Sequence, residues 1–503
     1  MRAPGAILLV ACYELGHQPL AVAWPAAFLE RHGYAPAVLD VSVEPFDAER
    51  AARARLVAIS VPMHTALRLG VAVAARVRAL NPACHIAFYG LYAVLNADAL
   101  LGGVADSVLA GESEDALVGL VRELERAGAP APGGQDVRQG VAGTRSLGVG
   151  SEPRAPGWSP VATGQRTRAA WSRDSLPHVL APRRRATLEK LEFPVPSRAA
   201  LPSLKKYAHL ERDGRLELSG YVEASRGCRH TCRHCPIPPV YGGRFFVVPR
   251  EVVLADVRQQ VEAGATHVTF GDPDFLNGPG HALAVARALH AEHPSLTFDV
   301  TAKIEHLLRH RARLPELAAL GCVFVVSAAE SLSDAVLLRL AKGHTRADIV
   351  AALAAVRGGG IAFRPTWVPF TPWTTLADYR ELLDFVEAHD LVDAIDPVQY
   401  SIRLLVPPGS LLLAEPGFAP FAAGLDAGAF HHRWIHPDPR MDALQAAVAA
   451  CVAEAADRRE DAAVTFGHVR ALGDRAAGAA PRPAAAPPAD RRRPPRLTEP
   501  WFC

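Results

Sequence analysis

The sequence predicts an α/β protein: a doubly wound parallel sheet followed by a second α/β unit of about six parallel strands. Compact apolar runs recur along the chain with segments of helical period between them, the pattern of alternating strands and helices. Half of the 503 residues are apolar and 21% are charged, as in ordinary globular chains. That length has room for about three domains. Three of only eight cysteines fall within eight residues, at Cys228, Cys232 and Cys235, and mark the second unit as the one that carries chemistry.

In chain order, Ala6-Ile-Leu-Leu-Val10 is a buried parallel strand by its uninterrupted apolar run. Helical spacing follows through Leu20, Trp24, Phe28 and Leu29, closed by Gly33 at a C-cap. Ala37–Val41, Leu56–Ser60, His85–Tyr89 and Asp106–Ala110 are the further strands, with helices over about 65–80 and Glu114–Arg126. Ligands of such sheets bind at the carboxyl ends of the strands. Those ends carry Cys12-Tyr-Glu-Leu-Gly-His17, Asp40 and Gly111-Glu-Ser-Glu114, where His17 is either a ligand or a solvated loop residue. This domain spans residues 1–127. Residues 128–190 then turn to Pro, Gly, Ser and Arg without apolar period, including Arg183-Arg-Arg185, and read as a disordered linker.

The core unit, 191–410, opens with a strand at Leu218–Glu223 and the cysteine run. Val248–Ala263 and His281–His293 are helices; Ala265–Phe270, Leu296–Thr301, Val323–Ser327, Ala362–Val368 and Asp396–Arg403 are strands. Just past the strand ends stand Gly271-Asp272-Pro-Asp274, Lys303, Glu305, Ser327-Ala-Ala-Glu330 and Lys342-Gly-His344. Trp367, Phe370 and Trp373 form either an apolar substrate wall or core packing. His431, His432 and His436 lie in a loop-like stretch of a helical extension, 411–473, as a second metal set or as solvated side chains. Residues 474–503 are a Pro/Ala/Arg-rich tether ending Leu497-Thr-Glu-Pro-Trp-Phe-Cys503, an arm that reaches back into the protein or to a partner.

Spacing of three and then two residues lets three thiolates converge on one centre from a single tight loop. Three is one short of the four that close a 4Fe-4S cluster, which leaves one iron open to a substrate or cofactor. The competing assignment is zinc with His230 or His234 as fourth ligand, since Cys3His is an ordinary zinc set. No second Cys/His pair at zinc-knuckle spacing follows.

Cys228-Arg-His-Thr-Cys232-Arg-His-Cys235 after a short strand resembles the cluster loop of radical S-adenosylmethionine (SAM) enzymes. The resemblance implies a partial (β/α)6 TIM-type barrel with chemistry at the strand C-termini. It also implies that Cys228, Cys232 and Cys235 hold a 4Fe-4S cluster whose open iron is chelated by SAM. An outside donor of flavodoxin or ferredoxin type then reduces the cluster, which cleaves SAM to methionine and a 5'-deoxyadenosyl radical. Carried over position by position, Gly271 with Asp272 or Asp274 faces the SAM ammonium, unless the acidic pair caps the next element, while Lys303 faces its carboxylate, and Ser327 and Glu330 its ribose. The first domain resembles the cobalamin-binding-like domain that precedes many radical SAM domains, but it lacks the Asp-x-His-x-x-Gly motif whose histidine ligates cobalt. A cobalamin-dependent radical methyltransferase is therefore the runner-up, with cobalamin as an added cofactor.

The tail resembles that of an uncharacterised radical SAM family ending Cys-Cys-Ala-Glu-Pro or Cys-selenocysteine-Ala-Glu-Pro. Here the sequence stops at its first cysteine. An in-frame UGA codon, encoding selenocysteine, is expected directly after Cys503, which would become half of a catalytic redox pair. On that basis a third reading makes the tail a selenol-dependent oxidoreductase site served by the cluster. A non-catalytic zinc-binding module is the rival from another class.

The net charge of +2 points to no nucleic-acid or membrane-surface partner. Ala6–Val10 is too short for a signal peptide and no run approaches the roughly 20 apolar residues of a membrane span. A cytoplasmic enzyme is expected, and the residues do not identify its substrate.

Overall fold

The computed structural model describes residues 1–127, 183–187, 190–482, 491 and 493–499, with only the backbone described at 183–187. The N-terminal sheet is fully parallel and comprises β1 (Ile7–Ala11), β2 (Ala37–Asp40), β3 (Leu56–Ser60), β4 (His85–Tyr89), β5 (Ser107–Gly111) and β6 (Arg183–Thr187) in the order β2-β1-β3-β4-β5-β6. All residues of β1, β3 and β4 are buried, as the unbroken apolar runs require of a sheet covered on both faces. β6 corrects the linker boundary. Arg183–Thr187 pairs alongside β5, because five extended residues satisfy an exposed sheet edge whatever their side chains. The remainder of 128–182 lies outside the described residues.

The second sheet comprises β7 (His209–Arg212), β8 (Arg215–Val222), β11 (His267–Phe270), β12 (Thr297–Thr301), β13 (Cys322–Glu330), β14 (Ala362–Trp367) and β17 (Arg496–Leu497). Between β8 and β11, β9 (Ser225–Gly227) and β10 (Phe245–Val247) form a separate two-stranded pair. The order β14-β13-β12-β11-β8-β7-β17 has five parallel strands, β8 and β11–β14, with β7 and β17 antiparallel at the far edge. It is an open half-barrel with one strand fewer than the (β/α)6 expectation.

The missing strand is Asp396–Arg403, which folds as a 3-10 helix over Pro397–Ser401. Pro397 has no N–H for a ladder, and its fixed φ suits a helical first turn. The side chain of Gln399 replaces the ladder: its Oε1 accepts from the Trp367 N–H at 3.0 Å. Among the described residues β14 thus ends the sheet, which is where Pro365 is tolerated, and only Phe370 beyond it pairs with Arg403 in a single parallel bridge. Trp367 and Phe370 are each 1% exposed and belong to the core, while Trp373 Nε1 donates to Gly417 O at 3.0 Å.

A hairpin of β15 (Ala422–Asp426) and β16 (His431–Trp434) and two helices, Pro439–Asp457 and Ala462–Ala476, complete the chain before the tail. His431 and His432 therefore lie on a strand, and His436 is buried with Nε2 2.8 Å from the Thr374 carbonyl. Among the described residues these three do not form a metal-sized donor set. No helix among the described residues is long and apolar enough to cross a membrane.

The tail does turn back. Arg496 and Leu497 extend the sheet at β7, Thr498 N–H donates to His209 O at 2.9 Å, and Arg491 pairs with Asp393 at 2.6 Å. Glu499 follows, beside Arg364, Asp396 and Gln399. Burial first, then Asp299 and Asp396, push its carboxyl up to about 8, with Arg364 opposing. An acid whose folded pKa is raised adds stability at low pH and loses it as pH rises through that value. Docking of residues 496–499 is thus expected to loosen between about pH 5 and 8, and Glu499→Gln to remove that dependence; amide exchange at Leu497 and Thr498 measures it. Cys503 lies outside the described residues.

Candidate functional site

Because β8 and β11–β14 run parallel, their carboxyl ends deliver every candidate residue of the core unit to one rim. The cysteine loop leaves β9 at Gly227, whose φ is +75° and where a Cβ would collide with the Arg244 carbonyl, so only glycine makes this turn. Cys228 and Cys232 are buried and Cys235 is half-buried. Burial raises the Cys228 thiol and pushes that of Cys235 up to about 12, the latter with added repulsion from Cys232 and Cys228.

The two histidines of the loop are turned elsewhere. His234 places Nε2 3.1 Å from Glu330 Oε1, and His230 places Nε2 3.6 Å from Asp274 Oδ2. Thiolates sharing one zinc at about 2.3 Å stand roughly 3.8 Å apart. Among the described residues the donor set that converges within 4.8 Å is His230, Asp274 and His306, not the three cysteines. As placed, the three thiols do not converge on one point and neither histidine turns to them, so no Cys3His set is formed.

Asp272 holds the loop's approach. Its Oδ2 accepts from Ala224 N–H at 2.9 Å and its Oδ1 from the Ser225 hydroxyl at 2.5 Å, and burial raises its carboxyl to about 7. Gly271 beside it is required by close approach, since a Cβ there would collide with the Tyr221 ring. Asp272→Ala would orphan the Ala224 N–H, a loss of about 1–3 kcal/mol. Reduced iron content after reconstitution, with all three cysteines intact, is the expected readout. Asp274 caps the 3-10 helix Phe275–Asn277 through Oδ1 and meets His306 Nδ1 through Oδ2 at 2.6 Å. Both oxygens of Asp272 are thus engaged by protein groups, while Asp274 Oδ2 lies against His306 without an aligned hydrogen bond.

At the β13 end Glu330 adopts φ +67°, a left-handed conformation that costs a non-glycine residue of order 1 kcal/mol and persists only where its surroundings impose it. Here they are Lys342 Nζ at 3.1 Å and His234, both on Oε1. Burial raises the carboxyl, but Lys342 and then His234 outweigh it and hold it well below the usual range. Lys342, buried behind the cysteines, stays charged: burial is outweighed by Glu330 and then by Cys232. Sequence reasoning named Lys342 only as a turn residue. Ser327 donates to Ala302 O at 2.6 Å, and Lys303, buried, stands 3.8 Å from Glu305.

The N-terminal sheet meets this rim directly. Arg226, two residues before Cys228, reaches Glu112 at 3.1 Å, Glu114 at 2.5 Å and Glu223 at 3.0 Å, while Tyr241 donates to Glu112 at 2.7 Å. Tyr207 donates to Asp40 at 2.8 Å. His17 is not a solvated loop residue; it is buried and stacked on Tyr221 with centroids 4.4 Å apart, and burial lowers it to about 3. His17, the candidate cobalt ligand that the sequence offered, is thus packed against the core unit in this structure.

Residues 222–386 match the Radical SAM superfamily. No curated protein matches the sequence. Among solved structures, the cobalamin-dependent S-adenosylmethionine radical enzyme OxsB with aqua-cobalamin bound is 13% identical at TM-score 0.61, over 90% of this chain and 67% of that one. The radical S-adenosylmethionine methyltransferase TsrM from Kitasatospora setae, with cobalamin and a 4Fe-4S cluster bound, is 20% identical at TM-score 0.51, over 76% and 70%. The chain thus spans about two thirds of the OxsB length, and at these identities the likeness is one of fold. A radical SAM domain implies a 4Fe-4S cluster and SAM, and the three cysteines and the buried lysine behind them fit such a cluster. This chain therefore carries a Radical SAM superfamily domain at residues 222–386, set behind an N-terminal parallel sheet in the arrangement of the cobalamin-dependent enzymes of that superfamily.

Proposed function

We propose that Cys228, Cys232 and Cys235 hold a 4Fe-4S cluster, and that the chain uses it to cleave SAM and so modify a substrate. The observation that carries this reading is the cysteine loop itself, three thiols at the barrel rim with both of the loop's histidines turned to carboxylates there. When bound, the cluster and SAM supply a 5'-deoxyadenosyl radical that abstracts hydrogen from the substrate. The protein's part is positional. Asp272 and Arg226 pin the residues before Cys228, Glu330 draws in His234 between the last two cysteines, and Lys342 offsets the negative charge of the thiolates. Of the SAM contacts, Lys303 for the carboxylate, Glu330 for the ribose and the Gly271 backbone for the ammonium remain the assignments, with Ser327 supporting Ala302.

The test is the EPR spectrum of anaerobically reconstituted, dithionite-reduced protein with and without SAM. A reduced 4Fe-4S signal that changes on adding SAM supports the reading. A colourless zinc protein, or a cluster indifferent to SAM, overturns it. Cobalamin is a candidate added cofactor, and its retention on the same purified protein would favour the cobalamin-dependent methyltransferase reading.

A further inference from the structure

Beside the cysteine loop three side chains from three separate segments point at one spot. His230 lies within the loop, Asp274 follows β11, and His306 is on the helix Ile304–Arg309 after β12. Asp274 and His306 are buried, and His230 is 16% exposed. Asp274 Oδ2 is 2.6 Å from His306 Nδ1 and 3.6 Å from His230 Nε2. Yet all three atoms are buried without a properly angled hydrogen bond. Atoms placed this close but not aimed along N–H···O lines are arranged around a common point. Donors around one ion at about 2.1 Å stand roughly 3.0–3.4 Å apart, so an ion here would part Asp274 and His306 by about half an ångström and draw His230 in slightly. Asp274 is oriented by the bond its other oxygen accepts from Leu276 N–H at 3.1 Å, as outer partners orient metal-ligating carboxylates.

We propose that His230 Nε2, Asp274 Oδ2 and His306 Nδ1 bind a single divalent first-row transition-metal ion, distinct from the centre at the cysteines. Two imidazoles and one carboxylate suit zinc or ferrous iron, and three protein donors leave positions open for solvent or an oxygen-donor ligand. The ion ties the cysteine loop, through His230, to the ends of β11 and β12. It needs neither SAM nor the cluster for its ligands.

Zinc is the probe. Cluster-reconstituted full-length protein is desalted anaerobically, titrated with Zn(II) by calorimetry, and analysed for metals. One zinc retained beyond the cluster iron is expected, with His306→Ala weakening its binding about 100-fold or more at unchanged iron and sulfide content. X-ray absorption at the zinc edge of the unsubstituted protein decides the matter even if the variant fails to fold. A shell of nitrogen and oxygen near 2.0–2.1 Å supports the site. Sulfur near 2.3 Å would put the zinc on the cysteines and overturn it. Absence of retained zinc, or unchanged affinity in folded His306→Ala protein, would show a hydrogen-bonded triad only and equally overturn it. Loss of the SAM-dependent EPR change alone leaves this site standing, so the two proposals fail separately.

Discussion

Replacing Cys228, Cys232 or Cys235 singly by alanine is expected to abolish cluster assembly and to reduce 5'-deoxyadenosine formation from SAM to background. The loop offers three thiols and no substitute ligand, because His230 is held toward Asp274 and His234 is bonded to Glu330. With two thiolates the cluster would have two irons without protein ligands, and burial, which raises the thiols of Cys228 and Cys235, disfavours their ionising without metal. Iron and sulfide analysis with chromatographic detection of 5'-deoxyadenosine checks the outcome. Full activity in any one of the three variants would remove that cysteine from the centre. The fold is expected to survive, since the loop sits on the rim and its cysteines are not part of the main apolar core.

The second large effect is expected from Arg226→Ala. Arg226 is the common partner of Glu112, Glu114 and Glu223, of which Glu112 is 1% and Glu114 4% exposed. Removing one partner of a buried ionic cluster strands the others, at a cost of about 3–5 kcal/mol. Burial already raises the Glu112 carboxyl, opposed by Arg226; without the arginine it rises further. An acid with a raised folded pKa keeps its stability below the unfolded value and loses it as pH rises through the folded one. The deficit of Arg226→Ala should therefore be smallest in acid and grow toward neutral pH, as thermal unfolding at several pH values will show. Adding Glu112→Gln and Glu114→Gln should recover much of the loss, a coupling that additive, unconnected sites would not produce. Iron incorporation should fall in parallel, because Arg226 lies two residues before Cys228. Lysine is not expected to rescue, since it lacks the planar fork that reaches several carboxylates at once.

How much of this was legible in the sequence varies with the range of the interactions. β1, β3 and β4 were plain from their apolar runs, since a strand covered on both faces leaves no polar position. Asp396–Arg403 was misread because Tyr400 and Ile402 alternate as in a strand, while Pro397 and the Gln399 side chain decided otherwise. Arg183–Thr187 could not be read at all, because an edge strand is recruited by the neighbour it meets and not by its own pattern. Gly271, Asp272, Asp274, Lys303, Ser327 and Glu330 were found by their places after strands. What each does depends on partners up to a hundred residues away, such as His234 for Glu330.

The sequence by itself determined the α/β class, β1–β5 of the first unit, the five parallel strands of the second and the three cysteines, because periodicity, apolar runs and ligand spacing are local properties of the chain. Only the tertiary structure decided that His230 turns away from the cysteines toward Asp274 and His306, and that Glu112 and Glu114 of the first domain hold Arg226 beside the loop. It alone seated Glu499 among Asp299, Asp396 and Arg364. Each of these is a buried polar contact between segments distant in sequence, and such contacts are set by which chain ends a sheet brings to one rim.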